Sequence, residues 1–514
     1  KLIEANKILL KIFAYQRAFS TAKGSWKVCI GLEVHAQLKS KTKLFSAAPA
    51  LGSTDQAPNS SVAPFDAALP GTLPRINRVA VEQAVRLGLA LGATIHPRSI
   101  FERKHYFYCD LPHGFQITQR EYPIASGGTL QVLGPTMKTT NNTGLFPVDV
   151  TRIQLEVDSG KTIHDISPQN SLVDLNRAGT GLLEIVFEPC LRSAEEVGST
   201  IRSLQFLLRS LGVSDASMED GNLRADLNVS ISDANSPVLG ERVEIKNMNS
   251  ARAMMNATEY EAKRQAAVLE SGGIIERETR GYDVNKGETF RLRGKEGLVD
   301  YRFFPEPDLP PLQLPNGMVE AIQSTLPELP HDTFLRIQQQ YKMSQPDAQN
   351  ITMTPGALQY FEDLIQGTDR EPKVAINWIF NNLLGLLKEA EIGFAKSPVK
   401  AERLGSLLDL ISSGKISGNI GKQVLEIMFK EEPYLSPIDI VSSRGLQSVT
   451  DDTELLEICK TVVDDKAHQK QLAKYKKGKG NMLKFFLGQV MKITQGKANP
   501  NLAEDILISL LKSK

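Results

Sequence analysis

The chain has 514 residues, 41% of them hydrophobic and 23% charged, with 60 Lys and Arg against 59 Asp and Glu for a net formal charge of +1. That balance excludes a globally basic or a globally acidic nucleic-acid coat, although a sum hides where the charges sit. The four cysteines, Cys29, Cys109, Cys190 and Cys459, are scattered without a CxxC pair, which argues against a disulfide framework and a cysteine zinc site, and no apolar run approaches the roughly 20 residues needed to span a bilayer.

At roughly 100–200 residues per domain, the length predicts about three domains. Residues 1–27 carry Lys1, Lys7, Lys11, Arg17, Lys23 and Lys27 against the single acid Glu4, with Ile8, Leu9, Ile12 and Phe13 at helical spacing. This pattern predicts a mitochondrial targeting leader rather than a secretory signal with a compact apolar core. Residues 28–315 mix short alternating strands, Gly/Pro turns and helical patterns such as Val79–Leu91 and Ala194–Leu211, which predicts an α+β domain. The proline-dense stretch Pro305–Pro315 can continue neither a helix nor a central strand, so the first domain is expected to end there. Residues 316–440 are dominated by amphipathic helical patterns, including Ala375–Ile392 and Lys400–Ser413. Residues 441–514 are also helical, but between Lys466 and Lys497 every charged residue except His468 is a lysine.

Several predicted strands carry one polar face. Side chains alternate along a strand, so Glu33, His35 and Gln37 oppose Leu32, Val34, Ala36 and Leu38. In the same way Arg152, Gln154, Glu156 and Asp158 oppose Ile153, Leu155 and Val157. Arg224, Asp226 and Asn228 oppose Leu223, Ala225, Leu227 and Val229, and Glu244 and Lys246 oppose Val243 and Ile245. The run Leu182–Phe187 is apolar but for Glu184. A solvated sheet face explains alternation equally well. However, these faces combine carboxylates, Arg, Asn and His, and a lone acid inside LLEIVF is costly if it is buried unpaired. Converging carboxylates need a cation between them, and hard oxygen ligands suit Mg²⁺ shared with substrate phosphates. Arg224 and Lys246 suit phosphate oxygens. There is no Walker A sequence, no kinase loop set and no GxGxxG.

The ordered stretches GLEVHAQL (31–38), LPGTLPRIN (69–77), RKHYFYCDLPHGFQITQ (103–119), LEVDSGK (155–161), DLNRAGTGLLEIVFEP (174–189), MEDGNLRADLNVS (218–230), VEIKNMNSAR (243–252), DYRFFPEPDLPPL (300–312) and FLGQVMKITQGKANPNL (486–502) carry a specific resemblance. From Cys29 to its C-terminus the chain resembles the B-subunit family of the aspartyl/glutamyl-tRNA amidotransferases, in its mitochondrial glutamyl-tRNA(Gln) branch. The resemblance implies a β-rich, cradle-type, glutamine-synthetase-like catalytic domain, a helical domain and a small helical tail. It implies a ligase component that converts Glu-tRNA(Gln) to Gln-tRNA(Gln), using ATP and Mg²⁺ to phosphorylate the tRNA-bound glutamate. Ammonia would come from an amidase (glutaminase) partner, in a hetero-oligomer with a small third subunit. The location implied is the mitochondrial matrix, with peripheral association to the inner membrane as a variant. Asp-tRNA(Asn) is an alternative substrate, and a tRNA-binding scaffold with a degenerate metal site is an alternative function.

Residue by residue, the resemblance places Glu33, His35, Glu156 and Glu184 at the catalytic metal centre. His35 is an unusual Mg²⁺ ligand, so it acts directly, through water, or as a structural histidine. Arg177, Arg224 and Lys246 fall in motifs suited to phosphate or to the acceptor end. Lys474, Lys476, Lys477 and Lys479 fall in a tail that the resemblance assigns to tRNA binding, consistent with the attraction of lysines for a phosphate backbone. The sequence also departs from the family pattern. Val157 replaces a second acid, Cys109 a proline, Gly181 a proline and Cys190 an acid. The loop at 61–69 lacks the paired cysteines of some relatives, so no zinc is expected there.

Overall fold

The computed structural model describes residues 18–20, 25–50, 56–134, 144–167, 170–293, 300–447, 452–476, 481–494 and 497–513. The chain divides into two compact units, one up to Arg336 and one from Ile337 onward. The apolar residues behind the predicted leader fall outside the described residues. Ala18–Ser20 pairs antiparallel with Ser25–Lys27, so the strand that carries Glu33 and His35 begins before residue 28, where the first domain was expected to start.

The first unit is organised by an 11-stranded sheet. Its central strand is β1 (Ser25–Gln37). Two further strands, β2 (Glu102–His105) and β3 (Phe115–Thr118), form a hairpin outside the large sheet, extended to three strands by Phe304–Pro305. The large sheet continues with β4 (Leu145–Val157), β5 (Gly181–Phe187), β6 (Leu223–Asp233), β7 (Val243–Met248), β8 (Glu278–Asp283) and β9 (Glu288–Arg293). The spatial order is β9–β8–β7–β6–β1–β5–β4, followed by the short strands Ala125–Ser126 and Thr94–Ile95. Pairing is antiparallel except between β7 and β8. Their crossover is the helix Ala251–Glu270, as a parallel connection requires.

One face of the sheet is apolar. Ile30, Leu32, Val34 and Ala36 of β1, Leu183 and Ile185 of β5, and Leu227 and Val229 of β6 are fully buried in one core. The helix Ala194–Ser210 contributes Val197, Ile201, Leu204 and Leu208 to that core at helical spacing. Each such side chain contributes about 1.5–3 kcal/mol of burial. The helix starts sharply because Ser193 accepts a hydrogen bond from Glu196 N while the Glu196 carboxylate accepts one from Arg192 N. With the helices committed to the apolar face, the polar alternates of the strands are left for the other one.

Two boundaries differ from the sequence reading. The first unit continues past Pro305–Pro315, because Leu309, Leu312 and Leu314 pack against its core and the following helix Met318–Gln323 buries Met318 and Ile322 there. The expected helix Ala375–Ile392 breaks into an α-helix at Pro372–Trp378, a π-helical turn at Ile379–Leu383 and an α-helix at Leu384–Glu389. It stops early because Glu391 takes the left-handed conformation (φ 54°). The second unit is built of helices, and its C-terminal part has a core of its own that includes Leu455, Cys459, Phe486, Val490 and Leu507. Among the described residues no helix is long and apolar enough to cross a membrane.

Candidate functional site

The strand register brings the predicted acids together. Residues directly opposite in neighbouring strands share a face. His35 lies opposite Arg224 on one side and Glu184 on the other, and Glu184 lies opposite Gln154. Glu33 lies opposite Asp226, and Glu156, two residues beyond Gln154, points the same way. The polar residues of β1, β4, β5 and β6 therefore form one patch, and Lys246 of β7 joins it through Asp226.

At the centre, one donor atom each from Glu33, His35 and Glu184 lies within 4.8 Å of the other two. His35 Nε2 is 3.7 Å from Glu156 Oε1 and 3.8 Å from Glu184 Oε2. Glu156 and Glu184 are only 2% and 4% exposed. Burial pushes Glu184 well above the usual carboxylate range, and the charges of Glu156 and Glu33 add to the effect. Burial acts on Glu33 in the same sense. It is outweighed by His35, by a hydrogen bond from Glu184 and by the ammonium groups of Lys104 and Lys246, which hold Glu33 below its ordinary value. The two carboxyls are thus pushed in opposite directions, Glu184 toward its neutral form and Glu33 toward its charged one. Gln154 Nε2 donates to Glu184 Oε2 at 2.7 Å and fixes that carboxyl from behind.

These residues fit a divalent cation. Two oxygens bound directly to Mg²⁺ at about 2.0–2.1 Å can be no more than about 4.2 Å apart. A spread of up to 4.8 Å therefore suits a cation that keeps part of its water shell. Glu156 Oε2 is buried and accepts no hydrogen bond, and such an orphan costs about 1–3 kcal/mol unless something positive meets it. Among the described residues, Lys104 Nζ lies 3.9 Å from it.

Lys104 was not singled out by sequence. It projects from β2 and meets Glu156, whose charge, with those of Glu184 and Glu33, raises the lysine against the effect of burial. Alternation in the strand Glu102–His105 separates Lys104 from Arg103 and His105, but nothing in one short strand says which face meets the acids. Asp158 was read only as part of a polar face. In the structure it accepts a hydrogen bond from Arg224 Nη2.

The cationic flank is arranged more loosely. Burial lowers Lys246, but Asp226 Oδ2 at 2.6 Å and Glu244 Oε1 at 3.3 Å outweigh it and keep the ammonium charged. Arg224 Nε is buried without a hydrogen-bond partner, which leaves one donor for an incoming anion. Arg177 holds its own turn, donating to the carbonyls of Ser159 and Gly160 and lying 3.6 Å from Asp158. Val157, at the position of the missing second acid, is a core residue.

Comparison with known proteins gives the family. The family model "GatB/GatE catalytic domain" matches residues 28–320, and the model "GatB domain" matches residues 359–511. The chain belongs to the GatB family. It is 45% identical to the mitochondrial B subunit of the glutamyl-tRNA(Gln) amidotransferase of Phytophthora infestans, over 95% of both chains. It is 46% identical to the B subunit of the aspartyl/glutamyl-tRNA(Asn/Gln) amidotransferase of Rhodospirillum rubrum, over 94% of this chain and 97% of the other. The corresponding protein of Granulibacter bethesdensis is 45% identical over 95% and 98%. GatB-family chains are amidotransferase subunits, ligases that work within a multisubunit complex. The acid patch lies on strands within the matched catalytic region.

The tail lysines are separate from this patch in sequence. Lys474 and Lys476 are exposed on the helix Gln469–Lys476. Lys477 and Lys479 lie outside the described residues.

Proposed function

We propose that this chain is the kinase and amide-forming subunit that converts Glu-tRNA(Gln) to Gln-tRNA(Gln) in mitochondria, on a cradle-type, glutamine-synthetase-like domain. The observation that carries this reading is the convergence of Glu33, His35, Glu156 and Glu184 with Lys104 on one sheet face. Glu33, Glu156 and Glu184 would hold Mg²⁺, with His35 beside them directly or through water, and the ion would offset charge on the phosphoryl oxygens. Arg224 and Lys246 bind and orient the ATP phosphates, Arg224 through its unused Nε donor. Arg177, which also holds the turn at 158–160, is a further group for the phosphates or the acceptor end.

In the first step a γ-carboxylate oxygen of the tRNA-bound glutamate attacks the terminal phosphorus of ATP, and the bond to the ADP oxygen breaks. The product is an acyl phosphate, a far better electrophile than a carboxylate. In the second step ammonia supplied by the amidase partner attacks the acyl carbon, the carbon–oxygen bond to phosphate breaks, and nitrogen loses a proton as the amide forms. The core closes the far side of the patch and buries Glu156 and Glu184, so water reaches the acyl phosphate only from the open side. The helical tail, 441–514, holds the tRNA through Lys474, Lys476, Lys477 and Lys479, and a small third subunit completes the complex.

The deciding experiment follows transfer of the terminal phosphate of ATP to Glu-tRNA(Gln) by the reconstituted complex. Glu156→Ala and Glu184→Ala should each abolish transfer while tRNA affinity is retained. Wild-type rates in either would leave the scaffold reading in place, and faster turnover of Asp-tRNA(Asn) would reassign the substrate.

A further inference from the structure

The loop between β2 and β3 exposes two aromatic rings beside the acid patch. Phe107 is 85% exposed and Tyr108 is 63% exposed, yet the loop is tightly ordered. Tyr106 N donates to Gly114 O at 3.2 Å, Gly114 N to Leu111 O at 2.9 Å, and Leu111 N to Tyr108 O at 3.1 Å. Asp110 O accepts from Gly160 N at 2.8 Å, which ties the loop to the turn after Glu156 and Asp158. One edge of the Phe107 ring rests on Gly114, where a Cβ would come within 3.0 Å of Phe107 Cε1; Gly114 also has φ +73°. The ring is thus seated against backbone and open to solvent.

A chain of contacts links these rings to the site. Lys104 Nζ lies 5.3 Å from the centre of the Tyr301 ring. Tyr301 packs edge-on against Tyr106 at 6.1 Å, and Tyr106 against Tyr108 at 5.7 Å. Holding a phenylalanine and a tyrosine ring in water on a hydrogen-bonded loop has no folding benefit. It is the arrangement that unpaired bases use, since every base has a π-face and stacking needs no hydrogen-bond match.

From this arrangement we infer that Phe107, flanked by Tyr108, is a positioning residue that stacks on the unpaired 3′-terminal base of the acceptor end. The inference rests on the proposed aminoacyl-tRNA substrate. The glutamate is esterified to the terminal ribose, so a γ-carboxylate at the acid patch puts the terminal base only a side chain and a sugar away. Lys104, which meets Glu156, lies on β2 three residues before Phe107.

The test pairs loss of the ring with loss of the base. Unacylated tRNA(Gln) ending in adenosine, or in an abasic ribose at the same position, competes with Glu-tRNA(Gln) for amidation by the full complex. Stacking of one base on an aromatic ring corresponds to about 5- to 150-fold in affinity. Wild-type complex should therefore bind the abasic competitor at least fivefold more weakly. Phe107→Ala should weaken the adenosine form by a similar factor and no longer distinguish the two. Phe107→Trp should restore the distinction. If the losses from the two changes multiply, no stacking exists and the inference falls. If Phe107→Ala instead separates the amidase partner on size exclusion, the rings are a protein interface and the inference falls equally. If wild-type complex fails to amidate Glu-tRNA(Gln) at all, the proposed function itself fails. Normal amidation without ring–base coupling overturns only the platform.

Discussion

Replacing Glu184 by Gln tests the raised carboxyl and the metal site together. Burial, with the charges of Glu156 and Glu33, raises Glu184 and so favours its neutral form in the metal-free protein. A glutamine has the same shape. Its Nε2 can donate to Glu33 and its Oε1 can accept from Gln154. Glu184→Gln is therefore expected to leave metal-free stability unchanged or slightly raised, although the residue is 4% exposed. The sign follows from linkage. A carboxyl raised by folding contributes stability below its unfolded pKa, and that contribution is lost as pH rises through the folded value. Wild-type metal-free protein should thus lose stability with rising pH above the ordinary glutamate range, and the variant should lose less. With Mg²⁺ at a hundred times its Kd, binding adds about 2.7 kcal/mol to the wild type. Unfolding entropy of about 2.1 cal/mol/K per residue, over roughly 310 residues of the first unit, gives about 0.65 kcal/mol/K and a Tm rise of about 4 °C. Thermal denaturation followed by circular dichroism, with EDTA and with Mg²⁺, measures both quantities. The reasoning is refuted if the variant melts several degrees lower in EDTA, or if it keeps the Mg²⁺-dependent rise.

Lys104→Met should destabilise the chain by about 3 kcal/mol, because it strips the lysine ammonium from buried Glu156. Added Mg²⁺ should recover part of that loss in a urea titration, whereas a purely structural lysine would show no such recovery. Gly179→Ala places a Cβ 2.4 Å from Asp66 Oδ1 at a φ of +85°. It should cost about 2–3 kcal/mol, read as a lower urea midpoint with an unchanged slope. Neutralising Lys474, Lys476, Lys477 and Lys479 should weaken tRNA binding and flatten the plot of log affinity against log salt by about 0.7–0.9 for each phosphate no longer neutralised. An unchanged slope in filter binding would remove the tail from the tRNA path.

Period-two alternation made the site strands legible. Glu33, His35 and Glu156 could each be given a face from one strand alone, and Glu184 stood out as the lone acid of an apolar run, but their convergence is a matter of register. Register is set by pairings such as His35 with Glu184 that no single segment encodes. Lys104 escaped for the same reason: its partner Glu156 lies far along the chain, and its own strand is short. The phosphate role suggested for Arg177 came from its motif, and its hydrogen bonds go to the backbone of residues 159 and 160. The apolar spacing of 375–392 correctly indicated a helical segment but is blind to a π-helical turn, which shifts the pattern by one residue without destroying it. The proline-dense stretch stops regular structure, as expected, yet its leucines keep it in the first unit's core.

The position of β1 governs how the site can be perturbed. β1 pairs with β6 from Trp26 to Ala36 and with β5 from Glu33 to Gln37, so the amides around Glu33 and His35 should exchange with solvent only when the whole unit opens. Glu33 and His35 ride on that strand, so loosening them alone would mean unfolding everything around them. Lys104 and the aromatic loop sit instead on a small peripheral sheet, which can open at far lower free energy. In hydrogen exchange this should appear as a slow-exchanging floor bearing the acids beneath a fast-exchanging rim bearing the lysine. Adjustments that accompany substrate entry then fall to the rim, while the floor keeps its geometry from one turnover to the next.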